Sequence, residues 1–229
     1  MTPWVAALIA LFIWWFSTGT ILMAVKYADR EGPAMRRRAT WGGLPLVALG
    51  AYGAHWSATQ TDVMGVYVAF LSAIAIWGWI ELAFLTGIIT GPNTSALPPP
   101  TPEWERFIRA WGTLAYHEML LLAALIPLGL ALWDAPNAFG FWTFAVLFFA
   151  RVSAKLNLFF GVPRTHVEFL PDALSHLSSH FRVAGMNWLF PISVTALTFA
   201  TACWLERLYA APTMGEITGF TLLTALTAL

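Results

Sequence analysis

The chain has 229 residues, of which 59% are hydrophobic and only 10% charged, and its net charge is zero. A soluble domain carries about 25% charged residues, so this composition excludes a water-facing globule, and a mean hydropathy of +0.68 points to a polytopic membrane protein. Zero net charge implies no polyanion-binding surface, so no nucleic-acid partner is expected, while the single Cys203 excludes an internal disulfide and a multi-cysteine metal site.

A membrane-spanning helix needs about 20 mostly apolar residues. Seven segments approach that length, at roughly 3–25, 40–57, 63–90, 106–133, 138–161, 185–208 and 213–229. The second and the last are the shortest. Helices are the expected element throughout, because lipid offers no partners for backbone N–H and C=O groups. The fold class expected is therefore all-α, a polytopic helical bundle of about seven spans forming one transmembrane domain. The start, MTPW, lacks the basic region of a cleavable signal peptide. Thirteen tryptophans fit a chain with many interface anchors.

Lys26, Arg30, Arg36, Arg37 and Arg38 follow the first segment, Arg106 and Arg109 the third, and Arg164 and Arg182 the fifth. By the positive-inside rule these loops are cytoplasmic, which puts the N-terminus in the periplasm and the C-terminus in the cytoplasm. Between the third and fourth segments lies GPNTSALPPPTPEWE, residues 91–105, with five prolines. It reads as an extended cytoplasmic linker between a first half, 1–90, and a second half, 106–229.

Ionisable residues inside the apolar segments gather at one depth. With a rise of about 1.5 Å per residue, Glu81, His117 and Glu118 fall about 13 Å from the cytoplasmic ends of their segments. Lys155 and Asn157 lie near the cytoplasmic end of the fifth segment, Arg151 lies closer to mid-membrane, and Asn187 opens the sixth. A lone charge in lipid costs about 2.5–3.5 kcal/mol, so Arg151 and Lys155 are expected to face Glu81 and Glu118. Two buried ion pairs that only join helices are one reading of this set, and a ligand-binding site is the other. Residues 168–182 read as an amphipathic interfacial helix, with Phe169, Leu170, Leu174, Leu177 and Phe181 on the apolar side. His176 and His180, four apart, share a face of such a helix. With His117 and Glu118 they sketch a site for Fe or Zn, against the plainer reading of solvated histidines and a packed His117. His117 as an axial ligand to a tetrapyrrole is a further alternative.

The strings WWFSTGTIL (14–22), WGWIELAFLTGIITGP (77–92), YHE (116–118), ARVSAKLNLFFGV (150–162), EFLPDALSHLSSHFR (168–182) and MNWLFPISVT (186–195) resemble the PuhE family of photosynthetic complex assembly proteins from purple phototrophic bacteria. The resemblance runs from the first segment into the sixth. It implies a protein of the bacterial inner membrane, cytoplasmic or intracytoplasmic, encoded with the reaction-centre H subunit. It also implies an effect on bacteriochlorophyll supply and on reaction-centre or light-harvesting assembly. The family offers no catalytic motif. Its recurring polar positions correspond here to Glu81, His117, Glu118, Arg151, Lys155, Asn157, Glu168 and Asn187, and do not include His176 and His180.

These readings lead to an accessory factor without turnover, binding bacteriochlorophyll, a late precursor or an unassembled subunit, with the bilayer, reaction-centre or light-harvesting subunits and pigment-biosynthesis proteins as partners. One alternative is a membrane enzyme of the pigment pathway using Glu81, His117 and Glu118 for metal or proton chemistry. Another is a transporter of a pigment or lipid precursor, for which Pro191 speaks and against which the lack of an internal repeat speaks.

Overall fold

A computed structural model describes residues 2–229, the Phe169 side chain excepted. The described residues form nine α-helices in the order α1 (Pro3–Glu31), α2 (Pro33–Gly42), α3 (Leu44–Ser57), α4 (Val63–Leu85), α5 (Glu103–Gly112), α6 (Ala115–Leu132), α7 (Phe139–Phe160), α8 (Leu189–Ala210) and α9 (Met214–Ala228). Two 3-10 segments, Val167–Phe169 and Asp172–His180, lie between α7 and α8. Five helices, α1, α4, α6, α7 and α8, are long and apolar enough to cross a membrane. The expected segments 40–57 and 213–229 yield α3 and α9, of 14 and 15 residues, short of the usual span.

The bundle is organised around α4. Its sequence, VMGVYVAFLSAIAIWGWIELAFL, is apolar on all sides, which suits a helix surrounded by others rather than one at the edge. Its most apolar stretch is 78% buried, whereas that of α8 has no buried residue. Asp62 caps α4, accepting from the Gly65 N–H at 2.8 Å. Phe70, Ile80, Leu121, Phe144, Leu222 and Leu223 fill the core around it. Short α9 is part of this core, and Thr218, Thr221, Thr224 and Thr227 each return their hydroxyl to the carbonyl four residues back. Their polarity is thereby satisfied within the helix.

Two expectations about local structure are corrected. The segment 106–133 is not one helix: it breaks after Gly112 into α5 and α6. Here the chain of residues 90–93 crosses the break. Asn93 N–H donates to the Gly112 carbonyl, its side-chain amide to the Arg109 carbonyl, and His117 N–H to the Thr90 carbonyl. A Cβ at Gly91 would sit 2.1 Å from the Gly112 oxygen, so only glycine permits this crossing.

The second correction concerns 168–182, which is not an interfacial α-helix. Pro171 interrupts it, and Asp172–His180 winds with about three residues per turn. Leu174 and Leu177, three apart, then fall on one side and pack against Phe84 at the end of α4. Consequently the apolar side faces protein. The segment forms a cover over one end of the bundle, tied on by Leu97 N–H to Ser179 Oγ at 2.9 Å and by Val162 N–H to the Arg182 carbonyl at 3.0 Å.

Candidate functional site

Glu81 sits one turn before the end of α4 and is 8% exposed. Arg151 and Lys155, four apart on α7, share a face toward it. Arg151 Nη2 donates to Glu81 Oε2 at 2.7 Å, and Lys155 Nζ donates to Glu118 Oε1. Three helices, α4, α6 and α7, are thus joined by two ion pairs. Because the chain breaks before α6, His117 and Glu118 stand in that helix's first turn, not deep within a long helix. A carboxylate there meets the positive end of the helix dipole.

His117 is fully buried beside the first pair, with Nε2 at 3.7 Å from Glu81 Oε1 and its ring 4.3 Å from that of Phe84. Both its nitrogens, Glu81 Oε1 and Arg151 Nε are buried without a hydrogen-bond partner. Phe84 also lies under the cations, with Lys155 Nζ 5.3 Å and the Arg151 guanidinium 6.0 Å from its ring centre. Five of the eight recurring polar residues are therefore brought together: Glu81, His117, Glu118, Arg151 and Lys155.

The other three stand apart. Asn157 donates to the Ser153 carbonyl at 2.9 Å and to Ser193 Oγ at 3.1 Å. Asn187 donates to the Gly161 carbonyl at 2.7 Å while its Oδ1 accepts from the Leu189 and Phe190 N–H groups. These two asparagines clasp the end of α7 to the start of α8. Glu168 is exposed and pairs with His166 at 3.0 Å. Its carboxyl is held below the usual carboxylate range, first by its own backbone N–H and then by His166.

The four-residue metal set of His117, Glu118, His176 and His180 is not assembled. Among the described residues no group of three His, Cys, Asp or Glu is placed to hold a metal ion. With three residues per turn, His176 and His180 point about 120° apart. Burial keeps both imidazoles below the ordinary histidine value, and His180 Nδ1 lies 3.2 Å from the His176 carbonyl.

Arg106 is a positioning residue that the sequence conceals. Its place among loop cations reads as topological, yet it is 9% exposed. Its guanidinium lies 3.8 Å from the Phe159 ring centre and donates to the Phe159 carbonyl at 3.0 Å and the His180 carbonyl at 3.5 Å. It thereby closes the end of α7 and fastens the cover.

Two larger cavities and one smaller pocket adjoin the cluster. A cleft of about 430 Å³ between α1, α4, α7, α8 and α9 has Glu81 and Arg151 at its polar end and Trp14 and Trp77 among its walls. A chamber of about 200 Å³ beneath the cover is lined by Arg151, Lys155 and His180 together with Phe84, Phe159 and Leu174. His117 lines neither.

Residues 1–229 match the family model described as a protein of unknown function, DUF3623, and the chain belongs to that family. It is 55% identical over 227 residues to the "Uncharacterized 30.4 kDa protein in puhA 5'region" of Rhodobacter capsulatus, covering 99% of this chain and 83% of the relative. No solved structure matches.

Proposed function

We propose that this DUF3623 member is an inner-membrane accessory factor for assembly of the photosynthetic apparatus. In this reading it handles bacteriochlorophyll or a late precursor on its way to reaction-centre or light-harvesting subunits. The cleft beside the Glu81–Arg151 pair carries the reading: its volume is within the range of small-molecule sites, its walls are apolar and aromatic, and a few polar groups converge at one end. The position of the Rhodobacter capsulatus relative in the puhA 5' region supports the process, as does the resemblance to PuhE proteins. Lys and Arg distribution supports an N-terminus in the periplasm and a C-terminus in the cytoplasm, with the covered end of the bundle cytoplasmic.

His117 does not reach the cleft, so a macrocycle held there lacks an axial histidine from this chain. That suits a carrier that releases its pigment better than a protein that keeps one. Absorption spectra of the protein purified in mild detergent, and of membranes from a deletion strain, test the proposal. Expected are co-purified tetrapyrrole bands and reduced reaction-centre or light-harvesting absorbance on deletion. Protein free of pigment, with unchanged complexes in the deletion strain, overturns it. A second reading, a membrane enzyme that moves a proton through this site, is favoured by one observation: His117 is enclosed next to Glu81 with both ring nitrogens unpartnered.

A further inference from the structure

The chamber beneath the cover has a donor set that selects its occupant. The polar side chains lining it are Arg151, Lys155, His180 and Thr113, and no carboxylate or side-chain amide lines it. Glu81 borders only the cleft, and Glu118 only a smaller pocket between α5 and α7. The Thr113 hydroxyl is already committed to the Ala110 carbonyl at 2.7 Å. Arg151 carries five N–H donors and Lys155 three, yet each makes a single side-chain hydrogen bond, to the carboxylate behind it.

One further donor, Arg151 Nε, is buried without a partner; His180, only 4% exposed, turns Nδ1 to the His176 carbonyl, which leaves its Nε2 an acceptor in the neutral ring. A cavity rich in donors and poor in acceptors favours an acceptor-rich group, and a carboxylate is matched best by a guanidinium and an ammonium held side by side. Arg151 and Leu85 line both the chamber and the cleft. The two cavities therefore meet at the Arg151 and Leu85 side chains, and an occupant with its apolar body in the cleft reaches the chamber where Arg151 swings aside.

We propose that the chamber receives the carboxylate of an amphipathic acid whose apolar body lies in the cleft. Resting on the pigment reading above, this makes the ligand a tetrapyrrole acid and not its ester. An esterified pigment presents a bulky alkyl group where the chamber offers unsatisfied donors. Such donors, enclosed and left unpaired, oppose binding. The cover of residues 171–181 is then the lid of the head-group chamber, and Arg106, which fastens it, holds the far wall.

The test compares chlorophyllide a with its methyl ester, binding to the full chain in mild detergent, followed by tryptophan quenching and by the shift of the pigment's absorbance bands. The acid is expected to bind at least about tenfold more tightly than the ester, the scale of a charge-assisted hydrogen bond. That preference should vanish in two charge-neutral double variants, Arg151→Gln with Glu81→Gln and Lys155→Met with Glu118→Gln, which leave no lone buried charge. His180→Phe, which fills the chamber while sparing both ion pairs, should weaken the acid and leave the ester unchanged. Acid and ester binding alike, or a preference that survives all three variants, overturns the carboxylate assignment and leaves the pigment reading standing. If neither tetrapyrrole binds but palmitate does, with the same dependence on Arg151 and Lys155, the chamber is an acid site and the pigment reading falls. No binding by any of the three overturns both.

Discussion

Removing Arg151 alone leaves the Glu81 carboxylate enclosed among helices with no cation at hydrogen-bonding distance. Arg151→Ala is therefore expected to destabilise the detergent-solubilised protein by about 2.5–3.5 kcal/mol, read from denaturant titration. Glu81→Gln with Arg151→Gln should recover most of that loss, because an apolar surround tolerates an amide pair better than an uncompensated charge. A double variant as unstable as Arg151→Ala would show that the guanidinium acts through packing instead. These charges were legible in the sequence because an apolar chain has so few, and each must find a partner or water. Arg106 was not, since a cation close to a proline-rich linker satisfies the positive-inside pattern whether it meets solvent or a carbonyl. Nor was the isolation of Asn157 and Asn187, whose amides serve helix ends within hydrogen-bonding reach of their own backbone.

Among the elements, the cover was misread for a definite reason. The apolar positions Leu170, Leu174, Leu177 and Phe181 fit a 3.6-residue period, and only Leu174 and Leu177 reveal the three-residue one. What decides is Pro171, together with the concave end of the bundle that accepts those two leucines. The cover should also respond to pH. Burial lowers the His180 value, the hydrogen bond to the His176 carbonyl opposes it, and the charges of His176, Arg106 and Arg109 add to the lowering. The unfolded segment thus takes up a proton below about pH 6.5 more readily than the folded one. Its stabilisation is complete above that value and is lost as pH falls toward the depressed folded value. Amide exchange across residues 172–181, corrected for intrinsic rates, should quicken between about pH 7.5 and about pH 5.5. His180→Phe should reduce that change, leaving the part that His176 contributes, and equal protection at both pH values in the unaltered protein would contradict the account.

At the scale of the whole molecule, the amphipathic stripe expected of residues 168–182 is carried instead by α5. Trp104, Phe107, Ile108 and Trp111 recur at helical spacing and are exposed, while Arg106 on the opposite side is buried. Such a helix is expected to lie along the membrane surface with that stripe in the acyl boundary. In a Cys203→Ser background in vesicles, Ile108→Cys should react much more slowly with a water-soluble maleimide than Glu105→Cys. Equal rates would place both faces in water. The all-helical membrane character followed from composition alone. The break that separates α5 from α6 did not, since the sequence around Gly112 has no proline, and the feature that creates it, the approach of Gly91, lies outside any local window.

The central place of α4 has a consequence for biosynthesis. Glu81 is translated 70 residues before Arg151. At about 5–20 residues per second, that interval is on the order of ten seconds. During it the most enclosed helix of the finished bundle first lacks α6 and throughout lacks α7, and its acid has no base. The helix must meanwhile wait beside the insertion machinery or find a temporary partner for that acid. The arrival of α7 then completes the pair.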